Sequence, residues 1–121
     1  MTLTSKPWLN ANLSIPERVQ LLLKAMTIEE KVAQMVQISY SIVTPEAADD
    51  WARKGAGSFL HVLGNNSRRL QRLSTENRLG IPVIFGIDAI HGHSIHNGAT
   101  VFPTQLALAA SWDPALAERT F

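Results

Sequence analysis

Helix patterns and short apolar runs alternate along this chain, and that rhythm restricts it to a small set of folds. The runs "AGSFLHVL" (56–63) and "PVIFGIDA" (82–89) are almost continuously apolar, as buried strands of a parallel sheet are. "QMVQIS" (34–39) fits a further strand, although it could equally be the end of the preceding helix. Strands that alternate with helices are joined by crossovers, so the sequence predicts an α/β fold with a parallel sheet.

Capping signals mark where the helices between these runs begin. Ser14, Thr27 and Thr44 each precede a helical pattern, and the first two have a glutamate three residues later, which completes a capping box. Gly55 is expected to end the third helix. We expect the first two helices to turn two apolar stripes toward the core. The stripes are Val19, Leu22 and Leu23 in the first helix, and Ile28, Val32 and Met35 in the second.

A fourth helix is predicted over "NSRRLQRLSTENRLG" (66–80), with Leu70 and Leu73 inward, four arginines outward and Gly80 as its end. The arginines are interpreted as a solvated helix face and not as a phosphate-binding patch, since no aromatic platform accompanies them. The polar residue in the preceding strand, His61, is interpreted as a core histidine whose polar atoms are satisfied. Eleven basic and ten acidic residues give a net charge of +1, so we expect no nucleic-acid or membrane partner.

The 121 residues, 45% of them apolar, suffice for one small globular domain. The absence of cysteine excludes disulfides and thiol catalysis. Residues 1–13 are predicted to be a lead-in segment anchored by Trp8, and residues 14–121 the domain. The last helix pattern, 113–121, begins at Asp113 and has barely two turns, so we expect a piece of a larger α/β protein. The start lacks the apolar core of a signal peptide, which leaves the native location open; the periplasm or the cell exterior is favoured if a leader was removed.

The main candidate for a functional side chain is Asp88, at the carboxyl end of the run 82–89. Functional residues of parallel sheets gather at that edge. Strand alternation would place Asp88 on one face with Gly86, which leaves space beside the carboxylate. An ionised carboxylate there accepts hydrogen bonds from neighbouring hydroxyls of a polyol. Equally, Asp88 could cap the turn that follows, by accepting the N–H groups near Ile90 and His91.

The residues after Asp88 have a similar double meaning. His91, His93 and His96 could ligate a metal ion, although their glycine and asparagine neighbours favour turns and hydrogen bonding. Gly92 and Gly98 could serve positive-φ turns, or could permit the close approach of a ligand.

Four segments together resemble the N-terminal domain of glycoside hydrolase family 3, which contains β-glucosidases and exo-β-glucan hydrolases. They are "MTIEEKVAQM", "GIDAIHG", "GATVFP" and "LALAASWDPALAER". The resemblance covers roughly Ile15 to Phe121, and "DAIHGH" favours the glucosidase branch over the β-N-acetylglucosaminidase branch. It implies the N-terminal part of a (β/α)8 barrel, with the rest of the barrel and a second domain outside these residues. The alternative fold is a small doubly wound domain of three layers.

In function, the resemblance implies hydrolysis of terminal nonreducing β-D-glucosyl residues from β-glucosides or β-glucans, with retention of configuration. It implies that Asp88 binds sugar hydroxyls and that His91, Gly92 and His93 belong to a loop beside the substrate. The nucleophile and the acid/base are implied to lie further along the polypeptide, so this stretch would hold no catalytic residue and be inactive alone. No cofactor and no metal are implied; the partners would be the oligosaccharide and the remainder of the same polypeptide.

Two other hypotheses remain from the residues themselves. One is a metal-dependent hydrolase that uses His91, His93 and His96. The other is a noncatalytic carbohydrate-binding or structural α/β domain.

Overall fold

The computed structural model describes residues 6–120 of the chain. The helices and strands, in chain order, are α1 (Ile15–Ala25), α2 (Ile28–Gln34), β1 (Gln37–Ser39), α3 (Pro45–Lys54), β2 (Ser58–Leu60), α4 (Asn65–Glu76), β3 (Ile84–Gly86), α5 (Gln105–Ala109) and α6 (Pro114–Thr120). The strands form one parallel sheet in the order β1-β2-β3. This confirms the predicted α/β fold. The segment 34–39 contains both the end of a helix and a strand, since Gln34 ends α2 and Gln37 begins β1.

The chain forms two compact units, Met1–Gly86 and Ile87–Phe121. The first contains the sheet and helices α1 to α4, and the second contains a long loop followed by α5 and α6. The first five residues of the predicted lead-in, and Phe121 of the last helix pattern, lie outside the described residues. Between residues 6 and 120 the structure has no helix with both the length and the apolar character to cross a membrane.

The predicted capping signals are confirmed. Ser14 and Thr27 each accept the backbone N–H of the glutamate three residues later, and each glutamate accepts the N–H of its cap residue. The hydroxyl of Thr44 accepts the N–H of Ala47 at 3.2 Å. Gly55 follows the helix that Thr44 begins, in the left-handed conformation with φ 88°. These local signals need only three or four neighbouring residues, which is why the sequence alone predicts them.

Within the first unit, helices cover one face of the sheet. In the parallel register Ile38, Phe59 and Phe85 lie side by side. Ile38 and Phe59 are buried in a core with alanines of α3 and leucines of α4, and Phe85 packs against it. The opposite face contributes no residue to this core, and its Ile84 is 71% exposed. A barrel has helices on the outer face of its sheet and side-chain layers on the inner face, whereas a doubly wound domain has helices on both faces. The one-sided cover therefore favours the barrel.

The apolar stripes of α1 and α2 do not reach this core, contrary to the sequence-based expectation. In the described chain Val19, Leu23, Ile28 and Val32 are all exposed, and Met35 is 86% exposed. Helical periodicity identifies which side of a helix would be buried, but not which element buries it. The N-terminal lead-in does pack against α1: Trp8 is buried, and its carbonyl accepts from Arg18 Nε at 2.7 Å.

The fourth helix ends earlier than predicted. α4 ends at Glu76, and the side chain of Asn77 then accepts the N–H groups of Leu79 at 3.0 Å and Gly80 at 2.8 Å. This side-chain turn competes with continuation of the helix, because it offers the backbone N–H groups another acceptor.

The arginines of this segment do not all face solvent. Arg69 Nε lies 3.4 Å from the Asp49 carboxylate. Arg78 Nε donates to Glu30 at 2.8 Å, and a second Arg78 nitrogen donates both to Glu30 and to the Ala25 carbonyl, the latter at 2.9 Å. The expectation of four outward arginines is thus wrong for Arg69 and Arg78, which connect elements distant in sequence. Hydrogen bonding from Arg78 lowers the pKa of Glu30 below its usual value.

Replacement of the central core residue should destabilise the fold strongly. Phe59→Ala is expected to lower the free energy of unfolding by about 3–5 kcal/mol, because it removes buried contacts and leaves a cavity. Ile42→Ala is the control, since Ile42 is 81% exposed and its loss should cost under about 0.5 kcal/mol. Urea unfolding of both variants measures the difference, and equal losses would contradict the assigned core.

The Glu30–Arg78 pair should make stability depend on acid pH. Because the folded pKa of Glu30 is lowered, its contribution is present above the ordinary value of 4.5 and is lost as pH falls through the folded pKa. Glu30→Gln should therefore lower stability at neutral pH, and its difference from the parent protein should shrink below pH 4.5.

Glu76→Gln is the matched control, because Glu76 and Arg72 form an exposed pair at 3.7 Å and such pairs contribute little. Denaturant unfolding between neutral and acid pH measures both variants. A constant difference between Glu30→Gln and the parent at every pH would refute the role given to this pair.

Candidate functional site

Asp88 is exposed, two residues after β3 ends at Gly86. The carboxylate is therefore not turned into a hydrophobic interior. The strand ends before Asp88, so the alternation that placed Gly86 and Asp88 on one face does not extend that far. The space at Gly86 is also filled, since a β-carbon built there would lie 2.8 Å from Leu60 Cδ2. Gly86 makes room for its cross-strand neighbour, which corrects the interpretation that it leaves space beside the carboxylate.

The loop after Asp88 is closed at its base by hydrogen bonds between its two ends. Phe102 N–H donates to the His91 carbonyl at 2.7 Å, and His91 Nδ1 lies 2.8 Å from the Phe102 carbonyl. The side-chain amide of Gln105, at the start of α5, donates to the Ile90 carbonyl at 2.5 Å. These bonds fix the backbone that begins two residues after Asp88. Sequence reasoning missed Gln105, because no local signal marks a partner fifteen residues away.

The hydrogen bond to Phe102 also determines the chemical character of the His91 ring. A carbonyl oxygen only accepts, so Nδ1 must carry the proton in this bond. The neutral ring then has Nε2 as an acceptor. A hydrogen-bond acceptor of this kind suits a hydroxyl group. Whether His91 or its neighbours contact a sugar stays a prediction.

Position 92 requires glycine because the backbone of the same loop passes close to it. It has φ 106°, and a β-carbon there would lie 2.3 Å from the Thr100 carbonyl oxygen and 2.9 Å from Val101 Cα. Gly98 also has a positive φ, 87°, but its surroundings are open to 4 Å. Of the two interpretations given above, the structure supports positive-φ turns at both positions. At Gly92 the close approach is by the chain's own backbone.

The tip of the loop brings two histidine rings together. The ring centroids of His93 and His96 are 5.5 Å apart, and His96 N–H donates to the His93 carbonyl at 3.1 Å. Nδ1 of His93 is buried and has no hydrogen-bond partner among residues 6–120.

Within that same range, no three side chains of His, Asp, Glu or Cys are grouped so that they could hold a metal ion. His91 already uses one ring nitrogen for Phe102. The metal-dependent hydrolase therefore lacks its proposed ligand set in this structure.

His61, in the first unit, has an unusual backbone. It is the first residue after β2, it is half-buried, and its φ is +61°. Its N–H donates to the Gly86 carbonyl at 3.0 Å. It is not a member of the buried core, so the interpretation of His61 as a core histidine is wrong. No pattern in the sequence signals this conformation.

Comparison with protein families shows to which family the chain belongs. The family model described as "Glycosyl hydrolase family 3 N terminal domain" matches residues 27–120. This chain belongs to that family. The match extends over the sheet, the loop after Asp88, and both of the last helices, so it confirms the resemblance seen in the sequence motifs.

Two curated relatives of this family 3 chain carry enzyme names. A putative beta-xylosidase of Formosa agariphila is 33% identical over 135 residues, which is 95% of this chain and 18% of the relative. A periplasmic beta-glucosidase of Salmonella typhimurium is 35% identical over 96 residues, which is 76% of this chain and 12% of the relative. The chain thus spans less than a fifth of these relatives.

Solved structures agree on the fold. An exo-1,3/1,4-beta-glucanase from a Pseudoalteromonas species matches with a TM-score of 0.67 and 29% identity, over 99% of this chain and 17% of that one. A mutant of the same enzyme matches with a TM-score of 0.67 and 30% identity, over 86% of this chain and 19% of that one. The family 3 chain therefore has the fold of the N-terminal, barrel-like domain, and the doubly wound alternative is excluded.

The two loop glycines of this family 3 chain allow a matched test of the loop geometry. Gly98→Ala should cost about 1–2 kcal/mol of stability in the second unit, from its positive φ alone. Gly92→Ala should cost more, because its methyl group would also collide with backbone. Hydrogen exchange at the Phe102 amide reports the closure of the loop. We expect faster exchange for Gly92→Ala than for Gly98→Ala, and the reverse order would contradict the described loop base.

Proposed function

We propose that this chain is part of a retaining glycoside hydrolase that removes terminal nonreducing β-D-glucosyl residues from β-glucosides or β-glucans. The observation that carries the proposal is an exposed carboxylate, Asp88, two residues after the end of β3 in a family 3 domain. The beta-glucosidase relative and the exo-beta-glucanase neighbours support glycoside hydrolysis as the general activity.

The role proposed for Asp88 is sugar binding. An ionised carboxylate has two oxygens that only accept, so it can hold two neighbouring hydroxyls of one sugar. Each hydrogen bond to a charged group contributes about 1.5–3 kcal/mol. The exposed position of Asp88 supports this role, and the hydrogen-bonded base of the loop supports a fixed backbone next to it. We place His91, Gly92 and His93 beside the substrate as a further part of the proposal.

The carboxylates that break the glycosidic bond are proposed to lie elsewhere in the longer polypeptide. Retention requires a nucleophile and an acid/base about 5 Å apart. After Asp88 this sequence has only Asp113 and Glu118 as acids, and Asp113 caps α6 by accepting the Leu116 N–H at 3.0 Å. We therefore assign no catalytic residue to this stretch and expect residues 1–121 alone to be inactive. The two-carboxylate mechanism uses no cofactor.

The partners and the location follow from the same proposal. We propose a β-glucoside or β-glucan oligosaccharide and the remainder of the same polypeptide as partners, and neither nucleic acid nor membrane. The periplasmic relative favours a periplasmic or secreted enzyme. Cell fractionation of the native host, with antibody against this chain, tests the location.

A second candidate substrate comes from the beta-xylosidase relative, whose match covers 95% of this chain. A β-xylosidase would use the same chemistry on a sugar that lacks the hydroxymethyl group. The comparison of kcat/KM on aryl β-glucosides and aryl β-xylosides with the full-length enzyme separates the two. We expect the glucoside to be preferred.

Removal of the Asp88 charge should weaken transition-state binding. In the full-length enzyme, Asp88→Asn is expected to lower kcat/KM on an aryl β-glucoside at least about tenfold, which corresponds to about 1.4 kcal/mol. Asp50→Asn is the control, because Asp50 is an exposed residue of α3 whose contact with Arg53 is 3.9 Å long. Its kcat/KM should be that of the parent enzyme.

Three results would contradict the proposal. Unchanged kinetics of Asp88→Asn would remove Asp88 from the sugar site. An α-anomeric first product, seen by NMR during hydrolysis of a β-glucoside, would remove the retaining mechanism. A full-length protein that cleaves no glycoside would favour the noncatalytic carbohydrate-binding or structural domain.

A further inference from the structure

His61 has a backbone conformation that glycine adopts more easily than any other residue. Its φ of +61° lies in the left-handed region, where a β-carbon crowds the following carbonyl oxygen. Glycine takes this conformation without that strain. Among residues 6–120, the other non-glycine residue with positive φ is Trp112. The imidazole thus lies at a position that disfavours any side chain.

The backbone of His61 is held in place by its neighbours. Its N–H donates to the carbonyl of Gly86, the last residue of β3, at 3.0 Å, so the pairing of β2 with β3 continues one residue beyond the end of β2. The next residue, Val62, is buried in the core. This explains why the chain turns here, because the turn returns Val62 to the core. It does not explain a histidine, since glycine would make the same turn.

The position of His61 in the sheet suggests what the side chain does. It follows the carboxyl end of β2, and barrel enzymes form their active sites at the carboxyl ends of their strands. Where the strands begin, polar side chains form contacts within the chain. There Gln34 donates to the Gly55 carbonyl at 2.7 Å, and Arg78 pairs with Glu30. Strained residues that the surrounding structure holds in place cluster at functional sites.

We propose that His61 is a substrate-contacting residue that hydrogen-bonds a hydroxyl of the sugar. This inference rests on the proposed function. A neutral imidazole has one donor and one acceptor nitrogen, and either one can hydrogen-bond a hydroxyl, since a hydroxyl both donates and accepts. A half-buried ring beside the strand end is partly desolvated before the sugar arrives, so less water has to be displaced.

The test uses the full-length enzyme and separates a contact with substrate from a structural role. His61→Gly removes the imidazole and also relieves the backbone strain. Its Tm should be no lower than that of the parent enzyme. Its kcat/KM on an aryl β-glucoside should fall about threefold to tenfold, as expected for one lost neutral hydrogen bond.

His61→Asn is the matched variant, because asparagine tolerates the left-handed conformation and keeps a donor and an acceptor. It should recover at least about half of the parent kcat/KM, with the same Tm. A variant that recovers no more than His61→Gly would refute the hydrogen bond.

The remaining outcomes are also decisive. If His61→Gly keeps kcat/KM within twofold of the parent enzyme, or loses Tm and activity together, His61 is not a substrate contact and only this inference fails. If the parent enzyme cleaves no glycoside, the proposed function fails and takes this inference with it.

Discussion

Burial of the Phe59 face of the sheet under α3 and α4 is the interaction on which the rest of the structure depends. Three strands of three residues each have too little backbone pairing to be stable alone, so the covering helices must supply the free energy. Within the first unit that cover lies on one side, and Ile84 and Leu60 of the other face do not belong to the core. This asymmetry distinguishes a barrel segment from a three-layer domain, and it agrees with the fold of the solved family 3 enzymes.

The two edges of the sheet differ in chemistry for a physical reason. At the edge where the strands begin, the polar side chains have partners within the chain, as Arg78 has in Glu30 and Gln34 has in the Gly55 carbonyl. These contacts hold distant segments together, and their loss would leave half-buried polar groups unpaired. Where the strands end, β2 is followed by a strained histidine, and β3 is followed by the segment that contains Asp88. The contacts where the strands begin support the sheet, and the proposed sugar contacts lie where the strands end.

What the sequence predicts correctly is local. The caps at Ser14, Thr27 and Thr44, and the turn glycine at 55, depend on residues within four positions of one another. The family motifs are likewise contiguous, and they identify the fold without any contact being known. What the sequence does not predict depends on distant partners or on backbone geometry. Arg78 pairs with a residue 48 positions away, Leu60 fills the space at Gly86 from another strand, and no pattern reveals the φ of His61. The buried faces of α1 and α2 were wrongly expected because periodicity does not identify a covering element.

The loop after Asp88 is preorganised by contacts that do not need a ligand. Two hydrogen bonds join His91 and Phe102, a third holds Ile90 to Gln105, and Gly92 permits the approach of Thr100. Ordering of a flexible loop on binding costs conformational entropy, which subtracts from affinity. Here that cost is met largely by folding, because the backbone two residues beyond Asp88 is already fixed. In the proposed role of Asp88, a carboxylate next to a fixed backbone would discriminate between hydroxyl geometries better than one on a mobile loop, since it could not follow a misplaced sugar. Gly92 and His91 of "GIDAIHGH" then have a common explanation, because both build the frame of the loop that follows Asp88.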